Sequence, residues 1–168
     1  DDTYLVSSTS INITEQADHG SDRVYSSVSY TLGSNLEDLT LSGKKDLNGT
    51  GNGLANDLIG NRGDNVLRGL GGADYLAGGK GEDILIGGKG ADVFEFIKGS
   101  GHDVVNDFRD GTDRIAGFVG DEASFDNLLA NHTKQQGDDL LIKFGDDTLL
   151  LRDMHKSDLD YSDFLTII

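Results

Sequence analysis

The sequence predicts an all-β fold: a right-handed parallel β-roll (a β-helix) closed at its C-terminal end by a helix and a β-hairpin. Three observations carry it, the first by its match to a known repeat pattern. A nine-residue unit repeats without a gap from Gly51 to Glu95, as GNGLANDLI, GNRGDNVLR, GLGGADYLA, GGKGEDILI and GGKGADVFE. The eighth place of the unit is always large and apolar (Leu58, Leu67, Leu76, Leu85, Phe94), and the sixth is Asn56, Asn65, Asp74, Asp83 or Asp92. The chain is also acidic and glycine-rich, with net charge −16 and 24 glycines in 168 residues, and it lacks proline, cysteine and tryptophan. On this reading residues 1–50 are irregular lead-in coils, 51–116 the roll and 117–168 the cap.

Each residue type in the unit has a physical role. Glycine permits φ > 0 and close backbone approach, so a six-residue turn can curl its carbonyls around an ion. The sixth-place carboxylate adds a charged hard oxygen, the ligand that Ca²⁺ prefers. Three residues such as Ile84-Leu85-Ile86 then form a short strand with the middle side chain pointing inward. Two units complete one coil, so a turn stacks on the turn two units later. That pairs Asn56 with Asp74 and Asp74 with Asp92 along one edge, and Asn65 with Asp83 along the other. Turn positions one, three and four offer the carbonyls: Gly60, Arg62 and Gly63; Gly69, Gly71 and Gly72; Gly78, Lys80 and Gly81; Gly87, Lys89 and Gly90. Without a cation, aspartates stacked in register would repel one another.

The repeat decays towards both ends. Lys98 to Val105 fits the template with Asp103 sixth and Val105 eighth, and Phe108 to Ile115 keeps Gly111, Asp113 and Ile115. These extend the ladders from Asp83 to Asp103 and from Asp92 to Asp113. At the other end, asparagine at 56 and Leu54 in a glycine place predict weak or absent calcium.

Upstream, Asp2-Thr-Tyr4 and Gly20-Ser-Asp22-Arg-Val24 are truncated copies of the template, and the chain is expected to continue before Asp1. Val24, Val28, Tyr30 and Leu32 alternate as in a strand, and Leu39 and Leu41 continue the pattern. Asp22 and Asp38 are expected to be solvated turn residues. Downstream, Phe125, Leu128 and Leu129 fall at helical spacing within 121–132, with Ser124 as the expected N-cap. Residues 140–144 and 148–151 predict a hairpin around Gly145-Asp-Asp147. Val66, Ile84 and Ile86 would form an outward apolar patch on one sheet, which the helix or the hairpin is expected to cover.

The charge argues against nucleic acid and anionic membrane surfaces as partners. It suits a chain neutralised by divalent cations, and roughly four to five Ca²⁺ would cancel about half of it. Without cysteine there is no disulfide framework and no thiol nucleophile. No segment reaches membrane-spanning length, and no secretory signal peptide is evident. No D-x-[DN]-x-[DN]-G loop ending in glutamate is present, which excludes an EF-hand. The histidines His19, His102, His132 and His155 are scattered, and neither H-E-x-x-H nor G-x-S-x-G occurs. The chain therefore reads as a non-catalytic module.

The nonapeptides, the segment Asp92 to Phe108, the hairpin and tail, and the upstream run Val28 to Gly43 together resemble the C-terminal portion of secreted RTX (repeats-in-toxin) proteins. The resemblance implies calcium-driven folding outside the cell and at the cell surface. It also implies export by type I secretion machinery, which would read an uncleaved C-terminal signal such as Asp163-Phe-Leu-Thr-Ile-Ile168. The family includes metalloproteases, lipases, cytolysins, adhesins and mannuronan C5-epimerases, so an adhesin fragment or an alginate-binding R-module is the alternative reading. For a polysaccharide partner the candidate contacts are Arg62, Arg68, Lys80 and Lys89.

Overall fold

The computed structural model describes residues 1–16, 20–117 and 121–165; His19 and residues 166–168 of the expected export signal lie outside them. Two eight-stranded sheets face each other, and the chain alternates between them. The first contains β1 (Thr3–Val6), β2 (Arg23–Ser26), β4 (Asp38–Leu41), β6 (Asp57–Ile59), β8 (Tyr75–Ala77), β10 (Val93–Glu95), β12 (Arg114–Ala116) and β16 (Phe164–Leu165), in that spatial order and all parallel. The second runs β3 (Tyr30–Thr31), β5 (Asn48–Thr50), β7 (Val66–Gly71), β9 (Ile84–Lys89), β11 (His102–Val105), β15 (Asp147–Leu151), β14 (Asp139–Phe144) and β13 (Thr133–Gln136). It is parallel as far as β15 and antiparallel beyond it.

The register follows the nine-residue period. Val24, Leu39, Leu58, Leu76, Phe94, Ile115 and Phe164 stack in one column across the first sheet. Leu67, Leu85, Val105 and Leu151 stack in the second. All are buried, and the two columns meet as the core. Each fully buried leucine contributes about 1.5–3 kcal/mol by leaving water. The same columns run through β1 to β5, so the lead-in coils share the roll's two sheets.

Four expectations change. The run from Val24 to Leu32 is two strands, because the coil turns at Ser27–Ser29, where Ser26 Oγ donates to the Val28 carbonyl (2.6 Å). The helix spans Glu122–His132 (α1), and its N-cap is Asp121 rather than Ser124. Asp121 Oδ1 accepts from the Ser124 amide (2.9 Å) and hydroxyl (2.8 Å), which leaves Ser124 one turn inside. The Val66/Ile84/Ile86 face is not covered: Ile84 is 37% exposed, and Val66 and Ile86 are half-buried. The hairpin instead pairs edge-on with β11, because an open strand edge carries unpaired amides and carbonyls, a larger debt than a few outward methyl groups. Helix α1 packs Phe125 against Phe164 (ring centroids 5.4 Å apart) and Tyr161 (6.0 Å), which joins the cap to the tail. Finally, Asp22 is buried (1% exposed), whereas Asp38 sits outward and pairs with Arg23 at 2.6 Å.

Leu70 occupies the second position of its turn at φ +80, where Gly79 and Gly88 take +98 and +97. A side chain there is strained by about 1–2 kcal/mol, while glycine costs about 0.5–1 kcal/mol more to order. Leu70→Gly is therefore expected to stabilise the protein by about 0.5–1 kcal/mol in thermal melts at fixed calcium. A lower melting temperature would argue against strain at this turn.

Candidate metal centre

The sixth-place residues form two continuous ladders of main-chain to side-chain hydrogen bonds. Along one edge the amides of Asn56, Asp74 and Asp92 donate to Oδ1 of Asp74 (2.8 Å), Asp92 (3.0 Å) and Asp113 (3.0 Å). Along the other edge the amides of Asn65 and Asp83 donate to Oδ1 of Asp83 (2.7 Å) and Asp103 (3.1 Å). All seven side chains are at most 2% exposed. The sequence pairing of Asn56, Asp74, Asp92 and Asp113, and of Asn65, Asp83 and Asp103, is thus the pairing in space.

One oxygen per amide leaves the second oxygen to be explained. Oδ2 of Asp74, Asp83 and Asp103 is buried with no hydrogen-bond partner among the described residues. Stranding a charged buried acceptor costs at least about 1–3 kcal/mol. Burial accordingly pushes the Asp74 and Asp83 carboxyls up to about 6 and that of Asp103 up to about 7, and it raises Asp92 as well. The glycine turns shape the surroundings. A Cβ on Gly69 would collide with Asp74 Oδ2 and lie 2.6 Å from the Gly87 carbonyl oxygen, so only glycine lets these oxygens converge. Gly78 and Gly87 stand in the same relation to Asp83 and Asp92, and Gly60 to Asn65. Gly63, Gly72, Gly81 and Gly90 stack on neighbouring turn backbone, as a Cβ at each would meet it. The side chains of Arg62, Lys80 and Lys89 point into solvent, leaving only their main chain to the turns. Buried anionic oxygens without donors, gathered with carbonyls, suit a hard divalent cation.

These raised pKa values set a sign for the metal-free chain. Between about pH 4 and 7 the folded roll holds protons that the unfolded chain has released, so acid stabilises it and rising pH removes that stability. In excess chelator, circular dichroism is expected to show more β-structure at pH 5 than at pH 8. Equal spectra would mean that the carboxylates are not the obstacle.

The ends of the ladders differ from the middle. Asn56 Nδ2 donates to the carbonyls of Leu36 (3.2 Å) and Glu37 (3.1 Å), and Asn65 Nδ2 to that of Leu47 (2.8 Å). At the far end Arg109 reaches the Gly90 carbonyl, Asp113 Oδ1 (3.0 Å) and Asp92 Oδ2 (3.4 Å). Upstream the first ladder continues through Glu37, Asp22 and Asp2: the Asp22 amide donates to Glu37 Oε2 (2.8 Å) and the Asp2 amide to Asp22 Oδ1 (2.5 Å). Oxygens of Asp2, Glu15 and Asp22 lie within 4.8 Å of one another. The Tyr4 hydroxyl donates to Glu15 (2.5 Å), which pushes its pKa up to about 12. The truncated motif Gly20-Ser-Asp22-Arg-Val24 carried the signal for Asp22. Arg109 gave none, since nothing in the repeat pattern asks for a cation at that position. His102 is exposed and shares a hydrogen bond with Thr148 (3.0 Å).

Residues 50–85 and 59–94 match the family of the RTX calcium-binding nonapeptide repeat (four copies). This stretch is an RTX calcium-binding repeat array. The RTX roll is similar to the solution structure of an R-module subunit from the Azotobacter vinelandii mannuronan C5-epimerase, at 25% identity and TM-score 0.50, over 82% of each chain. It also matches the extracellular lipase LipA from Serratia marcescens at 14% identity and TM-score 0.47, covering 97% of this chain and 42% of the lipase. The chain thus spans less than half of that lipase. No curated protein matches it in sequence. RTX repeats bind calcium, and no helix among the described residues is long and apolar enough to cross a membrane.

Proposed function

We propose that this chain is the calcium-dependent folding module of a larger secreted protein, with ions held between stacked turns by Asp74, Asp83 and Asp103. The observation that carries this reading is the set of three buried carboxylate oxygens without partners. Calcium, when bound, supplies the positive charge that lets these carboxylates stay buried and ionised. The chain does the rest. Oδ1 of each aspartate is fixed by the amide of the neighbouring turn, which aims Oδ2, and the glycines at positions one and four bring carbonyls of Gly60, Gly63, Gly69, Gly72, Gly78, Gly81, Gly87 and Gly90 to the same edges. Positions three (Arg62, Gly71, Lys80, Lys89) contribute main chain only. Asn56 and Asn65, with their amide groups already satisfied, offer less to a cation than aspartate does.

The module supports its parent by linkage. Where calcium is scarce the ladders repel and the chain stays extended enough for type I export; outside the cell the ions close the roll. We assign no catalytic group to the module. Equilibrium dialysis at 1 mM calcium is expected to retain roughly three to five ions per chain. Asp74→Asn, Asp83→Asn and Asp103→Asn should each lower that number, and unchanged binding in all three would refute the assignment.

The likeness to a mannuronan C5-epimerase subunit favours a second reading, an R-module that binds an acidic polysaccharide such as alginate. Arg62 and Lys80 lie on one edge of the roll, Lys89 on the other and Arg68 on the second sheet, so they form no single row. Titrating alginate oligomers at fixed calcium separates the two readings.

A further inference from the structure

In the turns from Gly78 and Gly87 the second position abuts the turn before it. A Cβ on Gly79 would run into the carbonyl of Asn61, and one on Gly88 into that of Leu70. A donor-bearing side chain at this place can therefore enter the corner between two stacked turns, and three turns carry one. Asn52 Nδ2 donates to the carbonyls of Gly33 (2.8 Å) and Leu36 (2.7 Å). Asn61 Nδ2 donates to those of Ser42 (3.2 Å) and Lys45 (3.0 Å). Arg109 occupies the same position in the turn from Phe108 to Asp113. Its guanidinium spans from the Gly90 carbonyl and Asp92 Oδ2 to Asp113 Oδ1, and its own amide donates to Asp113 Oδ2 (2.9 Å). The turns beginning at Gly69, Gly78, Gly87 and Lys98 place Leu70, Gly79, Gly88 and Gly99 there, none of which can donate from a side chain.

The consequence shows in the carboxylates. Asp74, Asp83 and Asp103 each keep an oxygen without a partner, whereas both oxygens of Asp113 and the outer oxygen of Asp92 face the arginine. A planar guanidinium with several donors satisfies two carboxylates and a carbonyl at once, and it is always charged.

We infer that the second residue of each turn decides whether the corner shared with the preceding turn admits a cation, and that Arg109 closes the Asp92–Asp113 corner to calcium by serving as its permanent cation. This rests on the proposed calcium sites at the other corners. Asp113, a calcium ligand by its place in the repeat, is then a partner of arginine, and Asp92 serves calcium only on its Asp74 side.

Calcium stoichiometry of the full chain tests it, measured by equilibrium dialysis and by a crystal structure grown in calcium. Arg109→Ala is expected to bind one ion more than the parent chain, and Asp113→Asn in the parent chain to bind the same number. A folded Arg109→Ala with no added ion, or an Asp113→Asn that loses one, overturns the inference. The parent crystal decides independently of how the variants fold. A guanidinium between Asp92 and Asp113 with ions beside Asp74 or Asp83 supports the inference, and an ion between Asp92 and Asp113 overturns it. If no corner holds calcium, the proposed function fails instead.

Discussion

Withdrawing calcium is expected to melt the roll cooperatively, converting a β-rich circular dichroism spectrum into that of an unfolded chain. At ~1 mM calcium and an assumed Kd of ~0.1 mM, each site adds about 1.4 kcal/mol to folding. Three sites, one for each partnerless oxygen, then add roughly 4 kcal/mol, a large part of a typical domain's 5–15 kcal/mol. The apolar columns alone must order many glycines, whose backbone entropy is the highest of any residue. Each carboxylate also joins its neighbour through a shared amide, so losing one ion loosens two turns, and the transition should be steep. Strong β-structure persisting in excess chelator at pH 8 would show that the columns hold the fold unaided.

Asp83→Asn should change sign with calcium. In calcium the variant loses a charged ligand that belongs to the ladder on both sides, through Asn65 and through Asp103, at a cost of about 1.4–3 kcal/mol. In chelator the same change removes a buried charge. The amide replacing it finds acceptors as Asn65 does one coil earlier, where Nδ2 donates to the Leu47 carbonyl. The metal-free variant should therefore be at least as stable as the metal-free parent. Urea melts of both chains in calcium and in chelator check this; destabilisation in both conditions would make Asp83 a structural residue unconnected with metal.

Strict periodicity explains what was legible beforehand. Glycine, carboxylate and leucine recur because a stacked coil requires each at one place, so the core columns from Leu58 to Ile115 and from Leu67 to Val105, and every ladder pair from Asn56 to Asp113, followed from spacing, whereas the addition of Phe164 and Leu151 to those columns did not. The helix and hairpin could be read from local patterns. What escaped depends on long-range packing. Asp22 lies buried where Glu37 Oε2, fifteen residues on, accepts its amide and its own Oδ1 accepts that of Asp2, twenty residues back. Arg109 is a surface residue by type, and only the fold brings it to Asp92, seventeen residues back. Asp163, which reads as part of an acidic tail, is fully buried and accepts the Gly111 amide (3.1 Å) from a distant coil. The hairpin's place at a sheet edge depended on which surface most needed partners, and a hydrophobicity pattern does not report that.

The reversal of strand direction after β15 also governs how molecules meet. A stack of parallel coils ends in a rung that could template another copy and grow lengthwise into a filament. Here the outermost strand of the second sheet is β13, whose Lys134, Gln135 and Gln136 are exposed, and Gln135 Nε2 is already committed to the Met154 carbonyl (3.0 Å). A charged, polar antiparallel border makes a poor docking rail, so polymerisation along the edge of the second sheet is discouraged.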